Sequence, residues 1–218
     1  MIESRNEVWP YEYMSFSRRI GEMWEPFCKL CFEYPVNNLR LFIPPLFSQV
    51  RRELHSEITE YIDALNINPE QKHDLKTYYD KVWLLVDSGE IKLELDLHFV
   101  FQDRKYNVDF KSGFGSNEKG NTNRLLMVAT IYKNLDPSYN CVILFRANED
   151  RNNHYFQTLK NSGVWKASSG EEAYRRIADL AGFDLRQWIE SNIDWMSDLT
   201  PETSDYLRTN RMEQYLVW

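Results

Sequence analysis

Two neighbouring stretches in the middle of the chain decide its fold. The first is IKLELDLHF, residues 91–99, and the second is YNVDFK, residues 106–111, with the polar turn QDRK between them at 102–105. Apolar and polar residues alternate through both stretches, which is the pattern of β-strands. We therefore predict an antiparallel hairpin.

Strand geometry assigns the side chains of this hairpin to faces, because alternate residues of a strand point to opposite sides. Glu94, Asp96 and His98 share one face of the first strand, and its leucines and Phe99 share the other. On the returning strand, Asp109 and Lys111 share a face. The apolar faces of both strands are predicted to pack on a helix.

Pairing of the two strands would bring Asp96, Asp109 and Lys111 together at one end of the hairpin. Two nearby carboxylates repel each other unless a cation lies between them, and oxygen ligands suit a hard ion such as Mg²⁺. A neighbouring ammonium group can orient a water molecule and stabilise negative charge on a phosphate. The competing interpretation is an edge hairpin whose charged face is simply solvated.

The remaining elements surround this hairpin. Helices are predicted over about 15–34, from Pro44-Pro45 to about 65, from Asn68-Pro69, and over about 122–134, 171–181, 185–193 and 201–209. Strands are predicted at 82–86, 140–145 and near Val164-Trp165. This order predicts one α/β domain over residues 1–218, with a central mixed β-sheet flanked by α-helices.

Composition limits the possible functions. The chain has 218 residues and a net charge of -7, which argues against binding nucleic acid or anionic membranes by bulk charge. It contains no apolar stretch near the roughly 18 residues that a membrane helix needs, and its first residues lack the order of a signal peptide. Three cysteines are consistent with a reducing compartment. We expect a cytoplasmic protein without a membrane partner.

The charge is unevenly distributed. Residues 104–133 contain six basic and two acidic residues, which gives this window a local charge of +4. Because the net charge of the whole chain is -7, the remaining residues carry -11. The positive window includes the hairpin end. An acidic protein can therefore still attract phosphate at this position.

The polar segment after the hairpin, residues 112–124, carries residue types that contact DNA. Asn and Arg side chains read base edges, and Ser hydroxyls suit phosphates. The predicted DNA contacts are Ser112, Ser116, Asn117, Lys119, Asn121, Asn123 and Arg124. A polar connection without a special role is the alternative for any single one of them.

Two other motifs lack residues that their chemistry needs. Residues 115–122 resemble a phosphate-binding loop, but Asn121 replaces the lysine that such loops need, so we expect no nucleotide cofactor. Cys28 and Cys31 have no second cysteine pair to complete a zinc site, and a buried helix face explains them better. The tryptophans of the C-terminal part, residues 165–218, suit either a core or a dimer surface.

The spacing at the hairpin resembles a known family. Asp96, twelve intervening residues and then Asp109-Phe110-Lys111 resemble the signature of the PD-(D/E)xK nuclease superfamily, which includes type II restriction endonucleases. The family often places a glutamate on a helix that precedes this hairpin. Glu25 resembles that residue better than Glu22 does. The resemblance covers about residues 18–146 as helix, strand, hairpin, helix and strand, and Leu95 replaces the proline of the signature.

The resemblance implies a restriction-endonuclease-like core and a Mg²⁺-dependent endonuclease that cuts double-stranded DNA at a specific, palindromic site. Asp96, Asp109 and the backbone carbonyl of Phe110 would bind Mg²⁺. Lys111 would position and activate water, and Glu25 would support a second metal or the lysine. A homodimer is expected, with residues 165–218 available for dimerisation or DNA contact. The alternatives are a repair or recombination nuclease of the same fold, or an inactive nuclease-like module that binds DNA or protein.

Overall fold

The computed structural model describes residues 10–84, 91–113, 119–213 and 216. The chain divides into two compact units. One extends to Phe42 and resumes at Asp96, and the other is Ile43–Leu95. The prediction of a single domain over 1–218 did not distinguish them.

The described part of the chain alternates helices and strands. In chain order the elements are α1 Pro10–Glu33, β1 Leu39–Leu41, α2 Phe47–Ala64, α3 Pro69–Leu84, β2 Leu97–Phe101, β3 Arg104–Lys111, α4 Lys119–Leu135, β4 Asn140–Phe145, a turn of 3₁₀ helix at Glu149–Arg151, α5 His154–Lys160, β5 Trp165–Ser169, α6 Glu171–Ala181, α7 Leu185–Asn192, α8 Trp195–Asp198 and α9 Pro201–Thr209.

The strands form a five-stranded sheet in the order β1-β2-β3-β4-β5. The β1–β2 and β2–β3 pairs are antiparallel, whereas β3, β4 and β5 run parallel. The predicted mixed sheet flanked by helices is confirmed at this level. Strand β3 occupies the middle of the sheet, so the hairpin is not an edge hairpin.

The hairpin closes through the two residues between β2 and β3. Leu97 pairs with Val108 and Phe101 pairs with Arg104. Gln102 and Asp103 have φ angles of 50° and 57°, as a tight hairpin turn with two left-handed residues requires. The turn sets the register, and one step beyond Leu97 and Val108 brings Asp96 opposite Asp109.

The core of this unit lies mainly between one face of the sheet and helices α1 and α6. The ring of Phe110 packs edge-on against Trp24 of α1, with ring centroids 5.8 Å apart. Phe32 of α1 packs on Phe99 of β2 at 5.2 Å. Each of these four side chains is at most 3% exposed. Since Phe110 faces α1, strand alternation turns Asp109 and Lys111 to the opposite face.

Helices α4 and α5 cover that opposite face. Phe156 of α5 packs edge-on against Phe145 at the end of β4, with centroids 4.9 Å apart. The indole Nε1 of Trp165 donates a hydrogen bond to the carbonyl oxygen of Leu125 in α4, at 3.1 Å. Trp165 therefore belongs to the core, whereas Trp188 of α7 is 40% exposed. Trp218 and the side chain of Trp195 lie outside the described part.

The predicted strand at 82–86 is wrong over its described residues, because α3 continues to Leu84. Tyr79 and Trp83 lie one helical turn apart and face α2. Tyr79 lies against His55 with ring centroids 5.8 Å apart, and Trp83 lies against Phe47 at 6.1 Å. This helical packing overrides the strand propensity of the apolar run. Residues 85–90, which include the last two residues of this predicted strand, lie outside the described ranges.

The predicted strand at 91–99 is regular only from Leu97. The burial alternation persists further, since Leu93 and Leu95 are buried and Glu94 is exposed. The ladder to β3 stops because the backbone N–H of Phe110 donates to the side chain of Asp96 at 2.7 Å instead of to a strand carbonyl.

Some elements were not anticipated from the sequence. The edge strand β1 has three residues, too few for a periodic signal, and α5 has seven. Cys28 and Cys31 are buried on the core-facing side of α1, as predicted. Across the described ranges, no helix is both long and apolar enough to cross a membrane.

Candidate active site

Asp96, Asp109 and Lys111 come together at the end of the β2–β3 hairpin. The ammonium Nζ of Lys111 contacts Oδ1 of Asp109 and lies 4.0 Å from Oδ2 of Asp96. The three side chains predicted to converge do so. Strand alternation and hairpin register together produce this arrangement.

Backbone hydrogen bonding holds Asp96 in place. Its Oδ2 accepts the hydrogen bond from the N–H of Phe110, and its side chain is 24% exposed. A charged acceptor makes this a strong hydrogen bond. Asp96 is therefore oriented by β3, although it precedes the first residue of β2.

Asp109 is the buried member of the site, with 1% of its surface exposed. The pKa of Asp109 is raised from 3.8 to about 6, because burial and, to a smaller extent, the charge of Asp96 outweigh the lowering by Lys111 and Arg124. Its buried Oδ1 contacts the ammonium of Lys111. A carboxylate in this position is poorly stabilised in its charged form, so an additional cation would favour ionisation.

Arg124 of α4 approaches Asp109 from the other side. Its guanidinium Nη2 lies 3.7 Å from Oδ2 of Asp109, and its side chain is 38% exposed. The sequence predicted Arg124 as a DNA contact but indicated no relation to Asp109. The site therefore combines two carboxylates with two cations, and its formal charge is zero.

Lys111 also touches the third predicted metal ligand. Its Nζ donates a hydrogen bond to the backbone carbonyl of Phe110 at 3.2 Å. The lysine side chain is 20% exposed. One ammonium group thus contacts all three oxygen groups that were predicted to bind Mg²⁺.

Glu25 is not brought into contact with Asp96, Asp109 or Lys111. Its Oε1 pairs with Lys29 one turn further along α1, at 2.7 Å. The helix packs on the opposite face of the sheet through Trp24, next to Glu25. Glu22 is paired with Arg19 at 3.0 Å. A supporting role for the helix glutamate stays a prediction.

The predicted DNA contacts are spread over a strand end and a helix start. Ser112 follows β3 and accepts a hydrogen bond from the N–H of Ala147 at 2.9 Å. Lys119, Asn121 and Asn123 lie in the first turns of α4, where Lys119 and Asn123 are exposed. Ser116 and Asn117 lie outside the described residues, as does the first half, 115–118, of the segment resembling a phosphate-binding loop.

His98 and Asn107 form a buried polar pair beside the site. Nδ1 of His98 lies 2.9 Å from Oδ1 of Asn107, and the two residues are 5% and 0% exposed. The imidazole also packs near the rings of Phe42 and Tyr132. His98 is thus a local hydrogen-bonding residue on a buried face. Asn107 lies two residues before Asp109, so strand alternation places both side chains on the same face.

The oxygen groups of the site suit a hard cation. Among the described residues, no cluster of three or more His, Cys, Asp and Glu side chains is arranged to bind a metal. Two carboxylates and one carbonyl are present, and the ammonium of Lys111 contacts all three. Such a small set of oxygen groups is compatible with Mg²⁺, which takes few protein ligands and keeps several waters.

Comparison with known proteins does not place the chain in a family: no protein-family model matches it, and no curated protein matches it significantly.

Proposed function

We propose that this protein is a Mg²⁺-dependent endonuclease that hydrolyses phosphodiester bonds in double-stranded DNA, acting as a type II restriction enzyme does at a specific, palindromic site. One observation carries the proposal. Asp96, Asp109 and Lys111, which match the PD-(D/E)xK spacing, meet at the end of a hairpin in the middle of the sheet.

The order of elements supports the proposal. The resemblance implies helix, strand, hairpin, helix and strand, and the chain has α1, β1, the β2–β3 hairpin, α4 and β4 in that order. The strand before the hairpin is β1 rather than the predicted 82–86. Helices α2 and α3 are inserted between β1 and the hairpin.

Asp96, Asp109 and the carbonyl of Phe110 would bind the metal. Bound Mg²⁺ supplies Lewis-acid chemistry, activating water and stabilising charge on a phosphate oxygen. Asp109 contributes a carboxylate that burial has left poorly stabilised, so it gains more from a cation than an exposed carboxylate would. The Phe110 N–H holds the Asp96 carboxylate in a fixed orientation.

Lys111 would position the attacking water and stabilise the negative charge that develops on the phosphate. Its ammonium already lies close to both carboxylates, and the lysine side chain is 20% exposed. A charged donor of this kind lowers the barrier when it is oriented before the reaction begins. The attack would leave 3′-hydroxyl and 5′-phosphate ends.

The restriction role also implies a homodimer, since two-fold protein symmetry matches a palindromic target. Sequence discrimination would come from base contacts, each contributing on the order of 1–3 kcal/mol per base pair. The exposed side chains of Lys119 and Asn123, on the helix that supplies Arg124, are candidates for such contacts.

The test is incubation of the purified protein with phage or plasmid DNA and Mg²⁺. Discrete fragments support a restriction enzyme, and a smear indicates a non-specific nuclease of the same chemistry. Absence of cleavage with any divalent ion rejects the enzyme and leaves the inactive binding module.

Variants at the two ends of β3 distinguish loss of the candidate active site from a general effect of substitution in this strand. Asp109→Ala and Lys111→Ala should abolish cutting. Lys105→Ala is the matched control, because Lys105 lies on the same strand at its opposite end and pairs with Asp136. Full activity in either site variant would refute the assignment.

A further inference from the structure

Helix α3, in the unit Ile43–Leu95, carries a row of exposed apolar side chains. Leu75, Tyr78 and Val82 are 41%, 65% and 59% exposed. Their spacing of three and four residues places them on one side of the helix, which turns once in 3.6 residues. These three residues are called the α3 stripe below. Single exposed apolar residues are ordinary, but a row of them on one helix face indicates an interaction surface.

The α3 stripe is separate from the side of α3 that packs within its own unit. Tyr79 and Trp83 face α2, where their rings lie 5.8 and 6.1 Å from those of His55 and Phe47. Helix geometry places the stripe roughly a quarter of a turn around α3 from this side. The stripe therefore takes no part in the packing of α3 on α2.

Helix α3 has little tertiary packing for its length. None of its 16 residues, all of which belong to the described ranges, is fully buried. By contrast, α2 buries Phe47, Val50 and Ile62. Isolated helices of this length are marginal in water, because most helical stability comes from packing of an apolar face. Helical bundles usually bury such faces in a core of four helices, twice the number in this unit.

Charged residues line the outer flank of the α3 stripe. In a heptad frame, Leu75 and Val82 occupy a positions and Tyr78 occupies the d position between them. Asp74 and Lys81 then occupy successive g positions, seven residues apart. The ammonium of Lys81 lies 5.0 Å from the ring centroid of Tyr78, so its charge is beside the stripe. One flank of the stripe thus carries a negative and then a positive charge.

This flank is complementary to itself in an antiparallel arrangement. When Leu75 of each copy lies opposite Tyr78 of the other, Asp74 of one copy lies beside Lys81 of the second copy. Two-fold symmetry makes the same contact twice, since both copies present the same patch. A parallel arrangement would place Asp74 beside Tyr79 instead, without an opposite charge.

We infer that the α3 stripe is a homodimer interface, in which the α3 helices of two copies pack antiparallel and Asp74 pairs with Lys81 of the second copy. The inference goes beyond the proposed function, because Asp96, Asp109 and Lys111 belong to the other unit and none of their chemistry is needed. It assigns dimerisation to α3, whereas the sequence suggested residues 165–218.

The experiment measures the dimer dissociation constant of the full chain by sedimentation equilibrium over a range of protein concentrations. Tyr78→Glu and Val82→Glu introduce a charge into the stripe. Tyr34→Glu and Trp188→Glu are matched controls, because they replace apolar residues that are 77% and 40% exposed outside the stripe. Far-ultraviolet circular dichroism of each variant measures its helix content.

We expect each stripe variant to raise the dissociation constant at least about tenfold, because the dimer would bury the introduced charge twice without a partner. The two control variants should keep the dissociation constant of the parent chain. A single helix pair makes a small interface, so we expect dissociation within the measured concentration range.

Charge exchange tests the antiparallel arrangement without relying on loss of binding alone. Asp74→Lys or Lys81→Asp would each place like charges side by side twice and should weaken the dimer. The combined variant restores opposite charges and should return the dissociation constant close to that of the parent chain. The differences should shrink in high salt, which screens exposed charges. A variant that merely misfolds would not be rescued by a second substitution.

Three results would overturn the inference. One is a parent chain that stays monomeric at every concentration. Another is a dimer that dissociates with Trp188→Glu but not with Val82→Glu, which would move the interface to α7. The third is a combined charge variant that dimerises no better than the single ones.

Cleavage of plasmid DNA, measured in parallel, separates this inference from the proposed function. A dimer that responds to the stripe variants as expected, but does not cut DNA, supports the interface and rejects the nuclease. A chain that cuts DNA as a monomer supports the nuclease and rejects the interface.

Discussion

The two ends of β3 carry the same kind of ion pair in opposite environments. At the start of the strand, Lys105 lies 3.6 Å from Asp136, and both side chains are over one third exposed. At the other end, Lys111 contacts Asp109, which is 1% exposed. Hydrogen bonds to Ser138, and then Lys105, lower the pKa of Asp136, whereas burial raises that of Asp109 to about 6 despite two neighbouring cations.

The difference shows that burial, not the presence of a partner cation, decides how a carboxylate behaves. An exposed pair is screened by water and contributes little. A buried carboxylate loses its hydration, and its partners replace only part of it. Chemistry that needs an additional cation is therefore expected at the Lys111 end alone.

The largest expected effect concerns catalysis. Lys111→Ala should lower the rate of DNA cleavage by at least about a hundredfold, the typical loss when one oriented charged donor is removed. Lys105→Ala should leave the rate unchanged. The measurement is a time course of plasmid cleavage at saturating Mg²⁺, and equal rates for the two variants would remove the distinction between the strand ends.

The second prediction concerns stability and pH. Because the pKa of Asp109 rises from 3.8 to about 6 on folding, the folded state loses stability as pH rises between these values. Above pH 6, the ionised carboxylate of Asp109 lowers the free energy of unfolding by about 3 kcal/mol, since each pKa unit corresponds to about 1.36 kcal/mol. Asp109→Asn should remove this cost, so its free energy of unfolding at pH 8 without divalent ions should exceed that of the parent chain.

Denaturant titrations between pH 4 and pH 8 measure this effect. Asp136→Asn is the control with the opposite sign, because a lowered pKa stabilises the fold above the pKa and loses that contribution in acid. A parent chain whose stability does not fall between pH 4 and pH 6 relative to Asp109→Asn would contradict the prediction.

The third prediction concerns metal binding. Mg²⁺ should raise the melting temperature of the parent chain in proportion to the logarithm of its concentration above Kd, since it would bind only the folded state. The rise should disappear in Asp109→Asn and persist in Asp136→Asn. Thermal melts with increasing Mg²⁺ measure it without DNA, and an equal rise in all three proteins would place the metal elsewhere.

The smallest effect is expected at the exposed pair. Lys105→Ala should leave the melting temperature unchanged within error, because an ion pair with both side chains over one third exposed is screened by water and contributes little. A clear loss of stability would show that exposure does not distinguish the two pairs.

Prediction from the sequence succeeded where the signal is local. The hairpin followed from its alternation, and β4 and α6 were predicted at the bounds that the structure has. The convergence of Asp96, Asp109 and Lys111 needed only the hairpin. Prediction failed at 82–86, because a short apolar run has no period of its own and takes its structure from whatever packs on it.

The contact of Arg124 with Asp109 had no local signal. Arg124 reaches Asp109 from a helix that begins eight residues after β3 ends. This contact depends on how the helix packs on the sheet, which no local pattern records.

The sequence by itself determined the hairpin, the face on which its charged residues lie and their meeting at one end, because strand alternation is a property of the local backbone. Only the tertiary structure decided that this face is covered by α4 and α5, which buries Asp109 and raises its pKa. Burial and long-range pairing arise between elements distant in the chain, so the physical state of the site is set by packing and not by its motif.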